Sequence, residues 1–97
     1  VDVYIPNVFS PNQDDKNDKF YIKADDSVTS IKTMRIYDRW GELLFEKANF
    51  APNDKEAGWD GTFGTTTLLP GVYVYDIVVV TKENKEFRYT GDITLIR

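Results

Sequence analysis

Cysteine and histidine are both absent from the sequence. A chain without cysteine forms no disulfide and has no thiol chemistry, although this absence does not assign a compartment. A chain without histidine has no histidine base, no nucleophilic triad built on histidine and no ordinary zinc site. Long apolar runs are missing too, since the longest covers only residues 77–80. A membrane-spanning helix needs about 18–20 apolar residues, so none is predicted.

The residues that are present favour a folded domain. Of the 97 residues, 41% are hydrophobic and 14% are aromatic, and these values disfavour disorder. The length suits a single domain over 1–97 with a modest core. The net charge of −4 and the pI near 4.7 disfavour nucleic-acid binding, which normally uses a basic face. Because the chain opens Val1-Asp2-Val3-Tyr4, without Met or a signal-peptide pattern, we expect a domain excised from a longer protein.

Apolar alternation and β-branched residues predict short strands rather than helices. The expected strands cover residues 1–8, 20–22, 31–40, 43–45, 71–81 and 87–95, with a turn at Trp40-Gly41 and a long surface loop at 47–58. Pro6 lacks an amide hydrogen, so the first strand is expected to end there or to lie at an edge. Imperfect alternation in 31–40, with Met34 and Ile36 on one side and Ile31 on the other, indicates a β-bulge. The pattern predicts an all-β, immunoglobulin-like antiparallel β-sandwich of about seven strands, with a closed barrel as the alternative.

The last two strands have the clearest alternation, which predicts a hairpin over about 71–97. One face of this hairpin is expected to be buried, and it carries Tyr73, Tyr75, Ile77, Val79, Phe87, Tyr89, Gly91, Ile93 and Leu95. The opposite face of the final strand is polar, which is typical of a half-exposed antiparallel strand.

The densest polar segment covers residues 11–18. Its oxygen-bearing groups follow an i, i+2, i+4, i+6 spacing, which allows a turned loop to direct several oxygens at one calcium ion. The candidate ligands are Asn12, Asp14, the carbonyl of Lys16, Asn17 and Asp18. The alternative is an Asx-rich turn, in which the same side chains accept hydrogen bonds from backbone amides. Calcium is the only cofactor that the sequence suggests.

Catalysis is not expected. A glycosidase pair formed from Asp14 and Asp18, or including Asp60, would need a cleft and one carboxyl group with a raised pKa. Nothing in the sequence predicts either feature.

Exposed aromatic side chains raise a different hypothesis, which is sugar binding. The candidates are Tyr4, Trp40, Phe50, Trp59 and Phe63. The alternative for Trp40 and Trp59 is that they cover the ends of the sandwich, because small domains need large side chains to close their cores.

Four pieces of sequence, in order, resemble one protein family. They are IPNVFSPN at 5–12 with NDKF at 17–20, IYDRWG at 36–41, GWDGT at 58–62, and PGVYVY at 70–75 with GDITLIR at 91–97. Together they extend over essentially the whole chain and resemble the gliding motility-associated C-terminal domain, the type B sorting domain of the type IX secretion system. In the acidic segment, Gln13 and Asp15 stand where the family pattern has glycine.

The resemblance implies a non-catalytic targeting module at the C-terminus of a larger secreted protein. It implies that a signal peptide brings the attached N-terminal cargo to the periplasm. Outer-membrane components of the secretion system, with an associated membrane protein, would then bind the folded domain. The implied destination is the cell surface or the medium. A surface adhesion or carbohydrate-binding module and a purely structural spacer are the competing hypotheses.

Two surfaces are predicted to contact such a partner. The first is the final strand, whose edge can accept an added strand if it is exposed, with Arg88, Thr90, Asp92, Thr94 and Arg97 as contact candidates. The second is the end of the sandwich that carries Trp40 and Trp59. The final strand is favoured because a receptor reaches a terminus easily.

Overall fold

Short strands and turns build the protein, as the turn-rich sequence predicts. The computed structural model describes residues 2–11 and 19–96, and this part of the chain forms nine strands and one short 3-10 helix. They are β1 (Val3–Tyr4), β2 (Val8–Phe9), β3 (Lys23–Ala24), β4 (Val28–Tyr37), β5 (Leu43–Phe50), the 3-10 helix Lys55–Ala57, β6 (Thr62–Phe63), β7 (Thr66–Thr67), β8 (Gly71–Thr81) and β9 (Glu86–Leu95). No helix in these two ranges has the length and apolar character that crossing a membrane requires.

Five of the strands form the main sheet, in the order β2-β9-β8-β4-β5. Neighbouring strands are antiparallel except for β2 and β9, where Val8 and Phe9 lie parallel to Thr94 and Leu95. Two small sheets, β1–β3 and β6–β7, accompany the main sheet. The all-β prediction is confirmed, and the arrangement is sandwich-like, with nine strands in the described ranges instead of about seven.

One hydrophobic core lies against the main sheet. Rings form its centre, where Phe9 and Trp59 lie 5.3 Å apart between ring centres, with Phe20 and Tyr73 beside them. The remaining buried members are Ile22, Val28, Ile31, Met34, Ile36, Leu44, Ile77, Val79, Ile93 and Leu95. A domain of this size buries a modest fraction of its surface, so it depends on such large side chains for stability.

The β8–β9 hairpin forms as the alternation predicts, and its register is continuous from Gly71–Leu95 to Val80–Glu86. Phe87 departs from the prediction because it is 41% exposed. It lies opposite the buried Val79, on a part of β9 whose outer side is not covered by another strand of the described residues. Tyr73, Ile77, Val79, Ile93 and Leu95 are buried in the core as predicted, and Tyr75 and Tyr89 are half-buried and pack against it.

β4 contains the irregularity that its sequence predicts. The register between β4 and β8 shifts twice, and one shift follows Ile31. This bulge brings Ile31 into the core together with Met34 and Ile36, so that all three are completely buried. The predicted bulge is confirmed, whereas the prediction that Ile31 faces the opposite side is wrong.

Three predicted segments have different boundaries in the structure. Residues 1–8 do not form one strand, because the chain leaves β1 near Pro6 and then joins the main sheet as β2. Phe20 makes an isolated bridge with Trp59, and the strand expected there begins later, at β3. The predicted loop at 47–58 is wrong over its first residues, because β5 continues to Phe50. β5 is an exposed edge strand, and its backbone groups form the hydrogen-bond ladder with β4. Most of its side chains are exposed, so they need not alternate between apolar and polar.

Candidate partner-binding surfaces

The predicted contact residues of β9 share the solvent face of the main sheet. Arg88, Thr90 and Asp92 are exposed, and Thr94 is half-buried. The regular pairing of β9 with β8 fixes their common direction, because side chains two residues apart lie on the same face of a strand.

Arg88 and Asp92 differ in their electrostatic environment. The Nε and Nη2 atoms of Arg88 donate to the two carboxylate oxygens of Asp76 at 3.0 and 2.7 Å. These hydrogen bonds, and then the charge of Asp76, raise the pKa of Arg88 above its ordinary value. Asp92 has no ion-pair partner in the described part of the chain. The carboxylate of Asp92 is therefore the uncompensated charge of this face.

The side of β9 that faces away from β8 is only partly covered. Near its end, the amide of Thr94 donates to the carbonyl of Asn7 at 2.9 Å. Because backbone groups alternate sides along a strand, those of Thr90 and Asp92 point the same way as those of Thr94. Within residues 2–11 and 19–96, no strand pairs with residues 86–92 of β9 on the side that faces away from β8. We call this side of residues 86–92 the open edge.

A groove of about 470 Å³ lies beside the open edge, between Tyr89 and the small β1–β3 sheet. The ammonium group of Lys23 lies 5.9 Å from the ring centre of Tyr4 and 5.6 Å from that of Tyr21. Both distances are in the range of cation–π attraction. The far wall of the groove therefore carries the Tyr4 ring together with the charged groups of Asp2, Lys23 and Asp25.

Asp25 ties the β1–β3 sheet to the chain that follows it. One of its carboxylate oxygens accepts from the hydroxyl and amide of Ser27, and the other accepts from the amide of Asp2 at 3.2 Å. The hydrogen bond from the Ser27 hydroxyl is the largest cause that lowers the pKa of Asp25.

The second surface is built on residues 38–42, which connect β4 to β5 and which we call the apical turn. The Oδ1 atom of Asp38 accepts from the amides of Trp40 at 2.8 Å and Glu42 at 2.9 Å. Gly41 has a φ of 89°, a backbone conformation that residues with a side chain rarely adopt. The predicted turn is confirmed, and Asp38 and Gly41 are the residues that make it.

Trp40 is held in solvent by this turn, since 86% of it is exposed. The guanidinium carbon of Arg39 lies 5.9 Å from the centre of the Trp40 ring. The hydrogen bonds of the apical turn use the Asp38 carboxylate and the backbone, so they do not depend on either of these two side chains. Large exposed aromatic groups and arginine are typical of protein contact sites.

Other apolar side chains surround Trp40. Phe63, Leu69 and Val72 are 45%, 79% and 41% exposed, and all border the same cavity of about 500 Å³. We call these three residues and Trp40 the apical patch. Sequence reasoning missed Leu69 and Val72. The only signal for Leu69 was the apolar pair at 68–69, which stands before Pro70 and outside any alternating strand.

The segment that brings Leu69 to this patch is anchored by the start of β8. The hydroxyl of Tyr73 donates to the carbonyl of Leu69 at 2.6 Å. A tyrosine that bonds to the backbone just upstream in this way is the tyrosine corner of immunoglobulin-like sandwiches.

Trp59 does not belong to the apical patch, although the sequence predicted that it would share a surface with Trp40. It is completely buried, and its ring lies 5.5 Å from that of Tyr73. Its Nε1 donates to the carbonyl of Thr62 at 3.0 Å. A side chain with no exposed surface has no face to offer to a partner or a sugar, so Trp59 is removed from the candidates.

The rest of the GWDGT motif supports the burial of Trp59. A Cβ atom at Gly58 would come within 2.9 Å of the carbonyl oxygen of Phe20. Trp59 and Phe20 exchange two backbone hydrogen bonds, of 2.8 and 2.9 Å. Asp60 accepts from the amide and the hydroxyl of Thr62 at 3.2 and 2.6 Å. The motif is therefore explained by core formation, and Asp60 has a structural role.

The remaining candidates are dispersed or lie outside the described residues. Phe50 is half-buried on β5, and Tyr4 lines the groove. Arg97 lies outside the described residues. The calcium candidates also lie outside them, so the calcium site stays a prediction. These candidates are Asn12, Asp14, Lys16, Asn17 and Asp18. The described ranges contain no cluster of three or more acidic side chains that could hold a metal ion.

Comparison with curated proteins gives no match. A family model described as the CHU_C type IX secretion signal domain matches residues 3–95, which is nearly the whole chain. A signal domain acts by being recognised, which is consistent with the non-catalytic role expected from the sequence. The chain belongs to the CHU_C type IX secretion signal domain family.

Proposed function

We propose that this domain is the signal by which the type IX secretion system exports an attached polypeptide across the outer membrane to the cell surface. The observation that carries the proposal is the family match over residues 3–95. In this scheme the cargo precedes the domain in the same polypeptide and reaches the periplasm first. The partners are outer-membrane components of the secretion system and an associated membrane protein.

The structural role of the family-like motifs favours a signal that is recognised in its folded state rather than as an extended peptide. The GWDGT motif serves to bury Trp59 and to bridge it to Phe20. A signal read as an unfolded peptide would not need a buried tryptophan. A preordered surface also loses less conformational entropy on binding.

The apical patch is the proposed contact with the secretion machinery. It combines an exposed tryptophan with an adjacent arginine, two residue types enriched where binding energy concentrates. The patch also lies at the end of the main sheet where Gly71 pairs with Leu95, whereas Asp2 bonds to Asp25 at the other end. Cargo attached before Val1 would therefore leave the patch accessible.

The test is a fusion in which residues 1–97 follow a periplasmic reporter, produced with and without the secretion system. The wild-type fusion is expected at the cell surface or in the medium only when the system is present. Trp40→Ala is expected to reduce export severalfold, because losing a central tryptophan contact costs about 2 kcal/mol or more of binding. Lys82→Ala is the matched control, because Lys82 is also exposed but lies in the turn between β8 and β9, away from the apical patch.

Two outcomes would contradict the proposal. Retention of a folded wild-type fusion in the periplasm would remove the export function. Wild-type export by Trp40→Ala would leave the function standing and would remove the apical patch as its contact.

Carbohydrate-mediated surface adhesion is the second candidate, and one observation favours it. The exposed ring of Trp40 borders a cavity that is also lined by Asp38, Arg39 and Glu42. An apolar ring face beside a few polar groups suits a neutral sugar. Binding to an oligosaccharide array that is lost in Trp40→Ala would support adhesion, and the absence of glycan binding would exclude it.

A further inference from the structure

We infer that the open edge of β9 binds one extended peptide segment of a partner protein, which adds to the main sheet as a further strand. The inference deepens the proposed function, because it names a second contact for the machinery and the chemistry of the segment that binds there. Four features of the described residues support it: backbone geometry, length, side-chain chemistry and the contrast with the opposite edge.

The backbone geometry is that of an unfilled strand position. β9 pairs with β8 without a register shift, so its other side is a regular row of amides and carbonyls. Along the open edge, the backbone amides and carbonyls of Arg88, Thr90 and Asp92 point away from β8. This is the side on which β2 pairs with Thr94. Unpaired edge groups of this kind are a template for strand addition.

The length of the site follows from β2. This two-residue strand already occupies the same side of β9 at Thr94 and Leu95, which demonstrates that the edge accepts a strand. An added segment must therefore end before Thr94. The open edge covers residues 86–92, a stretch of about 20–23 Å at the rise of a β-strand. The site thus holds at most about seven residues, and β2 blocks a longer strand.

The side chains define which segment fits. On the outer face, Arg88 is paired with Asp76, and Glu86 accepts from Lys32 at 2.8 Å. Asp92 keeps an uncompensated carboxylate, so a lysine or arginine on the incoming strand complements it. On the inner face, Tyr89 and the groove can receive an apolar side chain. The partner segment is therefore an alternating strand with apolar residues on one face and a basic residue on the other.

The opposite edge of the main sheet, formed by β5, is protected against the addition of a strand. Asn49 on β5 has a φ of 56°, which interrupts the extended backbone of that edge. Lys47 is exposed on the same strand, and charged edge residues of this kind disfavour strand addition. The open edge of β9 has no such interruption between Glu86 and Asp92.

Thr90→Pro tests the backbone contact. Proline removes the outward amide hydrogen of residue 90 and leaves the ladder to β8 intact, as proline does at sheet edges. The matched control is Thr90→Val, which changes the side chain and keeps the amide. In the reporter assay, Thr90→Pro is expected to stay in the periplasm while Thr90→Val is exported. Export of a folded Thr90→Pro fusion at the wild-type level would overturn the inference.

Asp92→Lys is the second variant, and it decides the matter if the proline variant does not fold. It reverses the one uncompensated charge of the open edge and leaves the backbone unchanged. Export is expected to fall roughly tenfold, because a like charge would oppose the basic residue of the partner. Glu83→Lys makes the same charge change in the turn between β8 and β9 and is expected to be exported normally. Equal export of the two lysine variants would overturn the inference.

A direct probe separates this inference from the proposed function. The probe is a seven-residue peptide in which valine alternates with threonine, starting from valine, and a lysine replaces the central threonine. It is titrated into the isotope-labelled chain, and the amide signals of the chain are followed by NMR. The amide signals of Arg88, Thr90 and Asp92 are expected to shift, and in Thr90→Pro the shifts are expected to disappear. Shifts at these amides combined with no export of the wild-type fusion would overturn the function and sustain the site. No shift at millimolar peptide would overturn the site.

Discussion

Gly91 lies in the middle of β9, directly opposite Tyr75 on β8. A Cβ atom at Gly91 would come within 2.6 Å of the Oη of Tyr75 and within 2.8 Å of its Cζ. The Tyr75 ring also lies 5.8 Å from that of Phe20. Burial is the main cause that raises the pKa of the Tyr75 hydroxyl, and the charge of Asp92 adds to it. Glycine is required at 91 because a ring crosses the strand there.

Gly91→Ala is expected to destabilise the domain by about 1–3 kcal/mol, because the added methyl group must displace the Tyr75 ring. In a Tyr75→Ala background the ring is gone, and the same substitution is expected to be neutral or stabilising by up to about 1 kcal/mol, because alanine restricts the unfolded chain. Urea unfolding of the wild type, both single variants and the double variant measures this coupling. Equal effects in the two backgrounds would mean that the methyl group fits without moving the ring.

The β8–β9 hairpin and the apical turn are the elements that sequence reasoning predicted well. Each half-buried strand carries a two-residue period, and Gly41 supplies the positive φ that the turn needs. The same alternation predicts one common solvent face for Arg88, Thr90 and Asp92, and all three are exposed in the folded chain. Local pattern was sufficient because strand direction and turn chemistry are local properties.

Long-range pairing explains the elements that the sequence did not predict. The parallel pair of Val8–Phe9 with Thr94–Leu95 joins two residues from each end of the chain. The bridge between Phe20 and Trp59 also has no local signature, and it is this bridge that holds Trp59 in the core. Trp40 and Trp59 each lie close to a glycine in a turn-like motif, so sequence alone did not tell the exposed one from the buried one.

The two tryptophans are therefore predicted to differ in how much each contributes to the free energy of unfolding. Trp59→Ala is expected to lower the free energy of unfolding by about 3–5 kcal/mol, because it opens a cavity in the ring cluster. It also removes the hydrogen bond to the carbonyl of Thr62. Trp40→Ala is expected to stay within about 0.5 kcal/mol of the wild type, as exposed residues without structural contacts do. Chemical denaturation of both variants provides the comparison, and a large loss in Trp40→Ala would mean that the apical turn supports the core.

The two ends of the molecule differ in structure. β8 runs between them and covers about 33 Å of an overall length of 39 Å. At one end, the amide of Lys82 donates to the carbonyl of Ser27 at 2.9 Å, and Asp2 is bonded to Asp25 close by. At the other end, Leu95 lies opposite Gly71, beside the apical patch. The chain therefore enters at the end remote from the patch, and β9 finishes next to it.

This polarity predicts that the position of the cargo matters. A reporter placed before Val1 is attached next to Asp2, at the end remote from the apical patch, and leaves the apical patch accessible. The same reporter placed after Arg97 emerges from the end that carries the patch, so it is expected to block recognition by excluded volume and to remain in the periplasm. Thermal unfolding of both fusions serves as the control, because the domain core is the same in each. Equal export from the two positions would mean that the machinery does not approach the domain from its apical end.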